Sequence, residues 1–202
     1  MAKVLILLAH PMLEKSRVQK VLMDAARAVP EITFHDLYEE YPDFDVDIPR
    51  EQELLRVHDS VVLQHPLYWY SCPALMKQWI DLVLEHGWAY GRHGRALVGK
   101  SMMNAISAGG NMQAYEPEGL NRHTIREFLT PFEQTAVLCN MTYLPPFVVH
   151  GTHRAAEDDI RTAARQYTAI LRALSEGSID ATRAGTARYM NDLVPPGGPE
   201  KG

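Results

Sequence analysis

The chain has 202 residues and a mass of 22.8 kDa, enough for one domain with its own core and short for two. Hydrophobic residues make up 46% and charged residues 22%, ordinary globular usage that excludes a disordered or fibrous chain. Twenty basic against 25 acidic side chains leave a net charge of −5, which gives no reason to seek nucleic-acid phosphates or anionic lipid. The two cysteines, Cys72 and Cys139, cannot form a disulfide framework, so the chain reads as cytoplasmic and reduced. The apolar run Val4 to Ala9 is too short to span a bilayer and lacks a signal-peptide pattern.

That run is short, continuous and ended by His10-Pro11, the pattern of a strand buried on both faces of a parallel sheet. Beyond Ser16, Val18, Val21, Leu22 and Ala25 repeat with helical spacing, and Ser16 can cap that helix. A second strand is expected over Ile32 to Leu37, a short helix over Glu51 to Val57 and a third buried strand over Ser60 to Gln64. A helix after Pro73 carries two apolar stripes, Met76-Ile80-Val83 and Leu75-Trp79-Leu82. A surface so wide suggests cover from the sheet on one side and a second subunit on the other. Met102 to Ser107 reads as strand four, Ile125 to Cys139 as a helix containing Pro131, and Phe147 to His150 as strand five. The last helix, about Ala155 to Leu174, should turn Ile160, Ala164, Tyr167, Ile170 and Leu174 inward, with Glu157, Asp158 and Asp159 at its positive end. Residues 1–176 therefore form the expected domain and 177–202, ending Pro195-Pro196-Gly197-Gly198-Pro199, a C-terminal tail. Five strands alternating with helices specify a three-layer α/β sandwich around a five-stranded parallel sheet.

Ligands of such sheets bind beyond the carboxyl ends of the strands, which directs attention to three loops. The first has no G-x-G-x-x-G. It offers His10, then Ser16, Arg17, Val18 and Gln19 opening a helix, where amides, a hydroxyl and a cation can hold a phosphate. A phosphate dianion there would raise the pKa of His10. The second loop, Pro66-Leu67-Tyr68-Trp69-Tyr70, has three successive aromatics that cannot all enter one core. The third, Ser107-Ala108-Gly109-Gly110, pairs a hydroxyl with residues that allow close backbone approach. A phosphate pocket beside a flat aromatic slot suits flavin mononucleotide (FMN).

The run Gln64-His65-Pro66-Leu67-Tyr68-Trp69-Tyr70-Ser71-Cys72-Pro73-Ala74-Leu75 is highly specific. With Ala9-His10-Pro11, Tyr41-Pro42-Asp43-Phe44, His86-Gly87-Trp88-Ala89-Tyr90-Gly91, Ser107-Ala108-Gly109-Gly110 and Leu144-Pro145-Pro146-Phe147, it resembles the flavodoxin-like NAD(P)H:quinone oxidoreductases related to DT-diaphorase. Within them it is most similar to the ancillary proteins of Kef glutathione-regulated potassium-efflux systems. The resemblance spans roughly residues 3 to 175. It implies strand order 2-1-3-4-5, one FMN per subunit, and two-electron hydride transfer through flavin N5 from NAD(P)H to a quinone by a ping-pong mechanism. The residues matching His10 and Ser16 to Gln19 would hold the phosphate and ribityl chain, and those matching Leu67 to Tyr70 and Ser107 to Gly110 the ring. Tyr115 and His123 would stand near the substrate. Trp88 and Tyr90 would line the neighbouring subunit's site in a homodimer. The resemblance also implies an alternative role, regulation of a potassium-efflux transporter, which would bring the protein to the inner membrane. The family carries asparagine where this chain has Gln19, and threonine at Ser107 or Ala108, an expectation of weaker FMN binding.

Three other signals are set aside. Asp43 to Asp47 imitates a calcium loop but has Ile48 and Leu54 where glycine and glutamate are required. His150 and His153 lack further nearby ligands, and no metal site is expected. Cys72 precedes a helix without a triad and reads as a packing cysteine.

Overall fold

The computed structural model describes residues 1–179 and 181–194. Strands β1 (Val4–Leu8), β2 (Ile32–Asp36), β3 (Ser60–Pro66) and β4 (Ser101–Ser107) run parallel in the order β2-β1-β3-β4. The fifth position is shared by β5 (Thr142–Tyr143) and β6 (Phe147–Val149), both parallel to β4. The strand expected over Phe147 to His150 is found as β6, and the short β5 ahead of it is an addition that the sequence pattern does not reveal. Pro145 and Pro146 between them have no N–H to give a ladder, so the edge strand is interrupted there. The sheet is thus flavodoxin-like, with the expected order 2-1-3-4-5. Its registers set Leu8 level with Asp36 and Gln64, Pro66 with Ser107, and Ser107 with Val149. The chemistry-bearing loops therefore leave one edge of the sheet side by side.

Alternate strand residues serve opposite cores. Val4, Ile6, Val62, Met103 and Ala105 pack against α1 (Arg17–Arg27) and the long α7 (Glu157–Glu176). Leu5, Leu7, Val61, Leu63, Met102 and Ile106 pack on the other side, with Leu55 of α3 (Ile48–Val57) and the inner faces of α4 (Ala74–Val83) and α6 (Thr130–Leu138). In α4, Leu75, Met76, Trp79 and Val83 are all buried within the chain, Ile80 is partly buried and Leu82 is 38% exposed. The chain's own core absorbs most of the double stripe, so its width needs no second subunit.

Local chemistry sets the helix ends. Ser16 Oγ accepts from Gln19 N–H, Asp47 caps α3 with Pro49 in its first turn, and Asp36 caps the short α2 (Leu37–Glu40), which the sequence pattern does not reveal. The helix expected over Ile125 to Cys139 is two helices, α5 (Ile125–Phe128) and α6. Proline disfavours helical geometry in the residue before it and is tolerated only in a first turn, where Pro131 stands. Glu51 is completely buried and accepts from His35 Nε2 and Trp79 Nε1, each at 2.8 Å, and from the Tyr41 hydroxyl. Burial alone would raise its pKa, but these donors hold it below the usual glutamate value. One carboxylate so ties β2, α3 and α4 together.

The expected tail does not hang free where it is described. α7 ends at Gly177, with φ +66°, and the chain continues through α8 (Ala181–Thr186) to Tyr189 and Met190, both buried. Pro195 to Pro199 lie outside the described residues.

At the end of β3, fully buried His65 donates from Nδ1 to the Pro66 carbonyl at 2.9 Å and accepts at Nε2 from Asn104 at 3.0 Å. Burial lowers its pKa from 6.5 to about 4. As pH falls below 6.5 the unfolded chain binds a proton that the folded chain refuses, so stability is lost until about pH 4, by on the order of 3 kcal/mol in full. His150, also lowered to about 4 by burial, adds to the same slope. Urea midpoints should therefore drop from pH 7 to pH 5, and His65→Gln should shrink that drop; an unchanged drop would remove His65 as its source.

Candidate functional site

A cavity of about 360 Å³ opens at the carboxyl edge of the sheet. Of the residues expected to hold a cofactor, His10, Ser16, Arg17, Val18, Pro66, Leu67, Tyr68, Ser107 and Gly109 line it. Backbone hydrogen bonds lock the loops together: Leu67 N–H donates to the Ser107 carbonyl at 2.8 Å, and Ala108 N–H to the Val149 carbonyl at 2.8 Å. Ala108 is therefore a buried ladder residue behind the wall. Trp69, Tyr70 and Gly110 lie outside the cavity lining.

One end of the cavity is built for an anion. The first-turn amides of α1 have no carbonyl within the helix to bond. Ser16 satisfies that of Gln19 at 3.1 Å, which leaves those of Arg17 and Val18 at the cavity. Lys15, absent from the sequence expectation, adds a cation. The Arg17 guanidinium lies 2.6 Å from Glu157 and 3.1 Å from the Ala155 carbonyl. Both side chains are about half exposed, so the pair is worth at most about 1 kcal/mol and a dianion could redirect the arginine. His10 accepts at Nδ1 from Met12 N–H at 3.1 Å, and its ring meets Tyr68 edge-on at 5.8 Å. In the ligand-free chain burial lowers its pKa, opposed by Glu14, the reverse of the direction expected beside a bound phosphate.

Gln19 departs from the expectation. Its side chain is fully buried and reaches Ser107, not the cavity. Tyr167 O–H donates to Gln64 Oε1 at 2.9 Å, Gln64 Nε2 to Gln19 Oε1 at 3.0 Å, and Gln19 Nε2 to Ser107 Oγ at 2.9 Å. The chain of bonds has one direction, and its last hydroxyl, at the cavity wall, keeps its proton to donate outward. The longer glutamine makes this span between α7, β3, α1 and β4.

The aromatic loop is a tight turn in which Trp69 and Tyr70 both have positive φ, +48° and +63°, closed by Ser71 N–H to the Tyr68 carbonyl at 2.9 Å. Left-handed backbone at two bulky residues costs on the order of 1–3 kcal/mol each, and Trp69 is 92% exposed, so packing does not compensate it. Tyr70 stacks on Phe128 at 4.8 Å, and Tyr115 and His123 meet the same ring edge-on at 6.3 and 5.7 Å. Tyr115 and His123 thus come together with Tyr70, although neither lines the cavity. Burial raises the Tyr115 pKa above the ordinary value. Trp88 and Tyr90, expected to line a neighbouring subunit's site, sit on a loop closed by Gly87 N–H to the Tyr90 carbonyl at 2.8 Å and pack partly buried against their own core. Cys72 is partly buried with its pKa raised by burial, the behaviour of a packing thiol.

Thr152 and His153 complete the wall. A Cβ on Gly109 would stand 2.5 Å from His153 Nε2, so only glycine admits that imidazole. The strand-end rule, applied to the loop after Val149, points to both residues.

The chain matches the flavodoxin-like fold family over residues 2–171. It belongs to that family. Among flavodoxin-like relatives it is 46% identical to a glutathione-regulated potassium-efflux system ancillary protein KefG from Enterobacter sp. (strain 638), across 82% of this chain and 91% of the other. It is 45% identical to general stress protein 14 from Treponema denticola, solved in complex with FMN, with a TM-score of 0.82 across 85% of this chain and 99% of that one. A protein from P. pentosaceus described as an NADPH-quinone reductase is 35% identical, with a TM-score of 0.77 across 84% and 97%.

Gln19→Leu would strand the buried Gln64 amide and free Ser107, and should cost about 2–4 kcal/mol. Ser16→Ala removes a cap and should cost about 1 kcal/mol. Urea denaturation separates the two; equal losses would mean that the buried chain of bonds contributes nothing beyond a cap.

Proposed function

We propose that the protein is an FMN-dependent oxidoreductase that passes two electrons from NAD(P)H to a quinone. The observation that carries this reading is the pairing, in one cavity, of an anion-binding end with a wall formed by Pro66, Leu67 and the Tyr68 ring. The residues present fit the cofactor. The open α1 amides, Ser16, Lys15 and Arg17 match a phosphate, and Leu67, Tyr68, Ser107 and Gly109 line the space beside it. Bound there, FMN supplies hydride chemistry.

The chain's own residues do the rest. Arg17, now paired with Glu157, would share its charge with the phosphate, and Ser107 would offer its hydroxyl to an acceptor on the ligand. Tyr68 would form one wall beside the flavin ring. NAD(P)H and then the quinone would enter in turn, the ping-pong order, on the side of the aromatic loop, where Tyr70, Tyr115 and His123 gather on Phe128. The partly open faces of Trp88 and Tyr90 are what a second copy would meet in a homodimer.

Steady-state assay of the FMN-loaded protein with NADH and NADPH against a quinone panel tests this reading, and the expected result is rapid quinone-dependent nucleotide oxidation. The relatives named KefG favour a second reading, a cytoplasmic subunit that regulates a potassium-efflux transporter at the inner membrane. Efflux altered by the chain, with no quinone turnover, would select it. For the cofactor, Ser16→Ala with Arg17→Ala should weaken FMN binding at least tenfold in a fluorescence titration, because charged hydrogen bonds contribute roughly 1.5–3 kcal/mol each. Unchanged affinity would place the phosphate elsewhere.

A further inference from the structure

The residues after α7 lie beyond the family match, which ends at residue 171, yet they are fastened to β6 and to the segment around Tyr115. Three neighbouring anchors do this. The Asn191 carboxamide accepts from Val148 N–H at 2.9 Å and donates to the Val148 carbonyl at 3.1 Å, pairing the open edge of β6 as another strand would. Met190, completely buried, donates its N–H to the Pro146 carbonyl at 3.0 Å. Arg188 lies 2.6 Å from Glu116, donates to the Tyr115 carbonyl at 3.4 Å and covers the Tyr189 ring at 5.0 Å.

From Tyr189 a series of ring contacts leads to the site. Tyr189 meets His150 at 5.5 Å, His150 meets Tyr115 at 5.7 Å, and Tyr115 meets Phe128, which carries Tyr70 and His123. The segment therefore grips both ends of Tyr115: Arg188 holds its carbonyl and the following carboxylate, and the rings support its side chain. The turn Met112–Tyr115 sits in a long surface loop, the kind of segment that opens locally unless something outside it holds it.

We propose that residues 187–194 form a positioning strap which, through Arg188 and Tyr189, fixes Tyr115 at the acceptor side of the cavity. The strap does not touch the anion-binding end, so it acts on the acceptor and not on the FMN phosphate; that acceptor role rests on the oxidoreductase reading.

Arg188→Ala tests it with two readouts. Hydrogen exchange on the full chain without FMN should quicken at residues 113–116 by roughly three- to fivefold, the effect of losing one partly exposed ion pair, while exchange in β1 and β3 stays as it was. In the FMN-loaded enzyme the quinone KM should rise by a similar factor, with FMN affinity unchanged. The exchanged pair Arg188→Glu with Glu116→Arg restores the ion pair but not the bond to the Tyr115 carbonyl, and should recover both readouts in part. Unaltered exchange at 113–116 in Arg188→Ala, or a uniform rise across the whole chain, would overturn the strap. Quickened exchange at 113–116 in Arg188→Ala, with a wild-type enzyme that turns over no quinone, would keep the strap and reject the oxidoreductase reading.

Discussion

The site depends on a buried line of four side chains, Tyr167, Gln64, Gln19 and Ser107, that crosses the molecule from α7 to the end of β4. Each member is buried, so each must find its partner within the protein or lose stability. The two glutamine carboxamides each use one acceptor and one donor, which fixes the direction of every bond. The line therefore does two jobs with the same atoms. It pins α1 and α7 to the sheet, and it leaves the Ser107 proton facing the cavity.

Around that line the site divides into a rigid half and a tense half. The rigid half is the α1 terminus, capped by Ser16 and backed by Gln19, where the anion-binding amides cannot move without breaking a buried contact. The tense half is the turn at Trp69 and Tyr70, which holds two aromatics in left-handed backbone geometry. Strain of this kind persists where the surroundings impose it: Leu67 is bonded to Ser107 on one side, and Tyr70 is stacked on Phe128 on the other. Phe128 owes its place to Thr124, whose capping box with Glu127 starts α5.

Much of this was legible in the sequence because burial writes itself as pattern. The runs Val4 to Ala9 and Ser60 to Gln64 read as buried strands, and Ser16 ahead of a helical stripe reads as a cap. The strand-end rule then found most of the cavity wall. What stayed hidden depends on partners far away in the chain. Gln19 reads as a ligand-binding residue until Gln64, 45 positions on, is seen to donate to it, and the His153 imidazole rests where a Cβ on residue 109 would stand. The α4 stripe suggested a second subunit because sequence periodicity measures apolar width and not the depth of the groove that receives it. Residues 177–194 carry too little periodicity to announce a docked segment; their attachment lies in single side chains such as Asn191 and Arg188.

The central claim is that one cavity, at the carboxyl ends of β1, β3 and β4, holds FMN. Amide chemical-shift mapping during an FMN titration tests it most directly. The account predicts saturable shifts confined to residues 10–19, 66–70, 107–110 and 152–153. Saturable binding that instead moves amides along the neighbouring groove of Lys20, Arg27, Asp36 and Glu39, or no shifts at any FMN concentration, would contradict it.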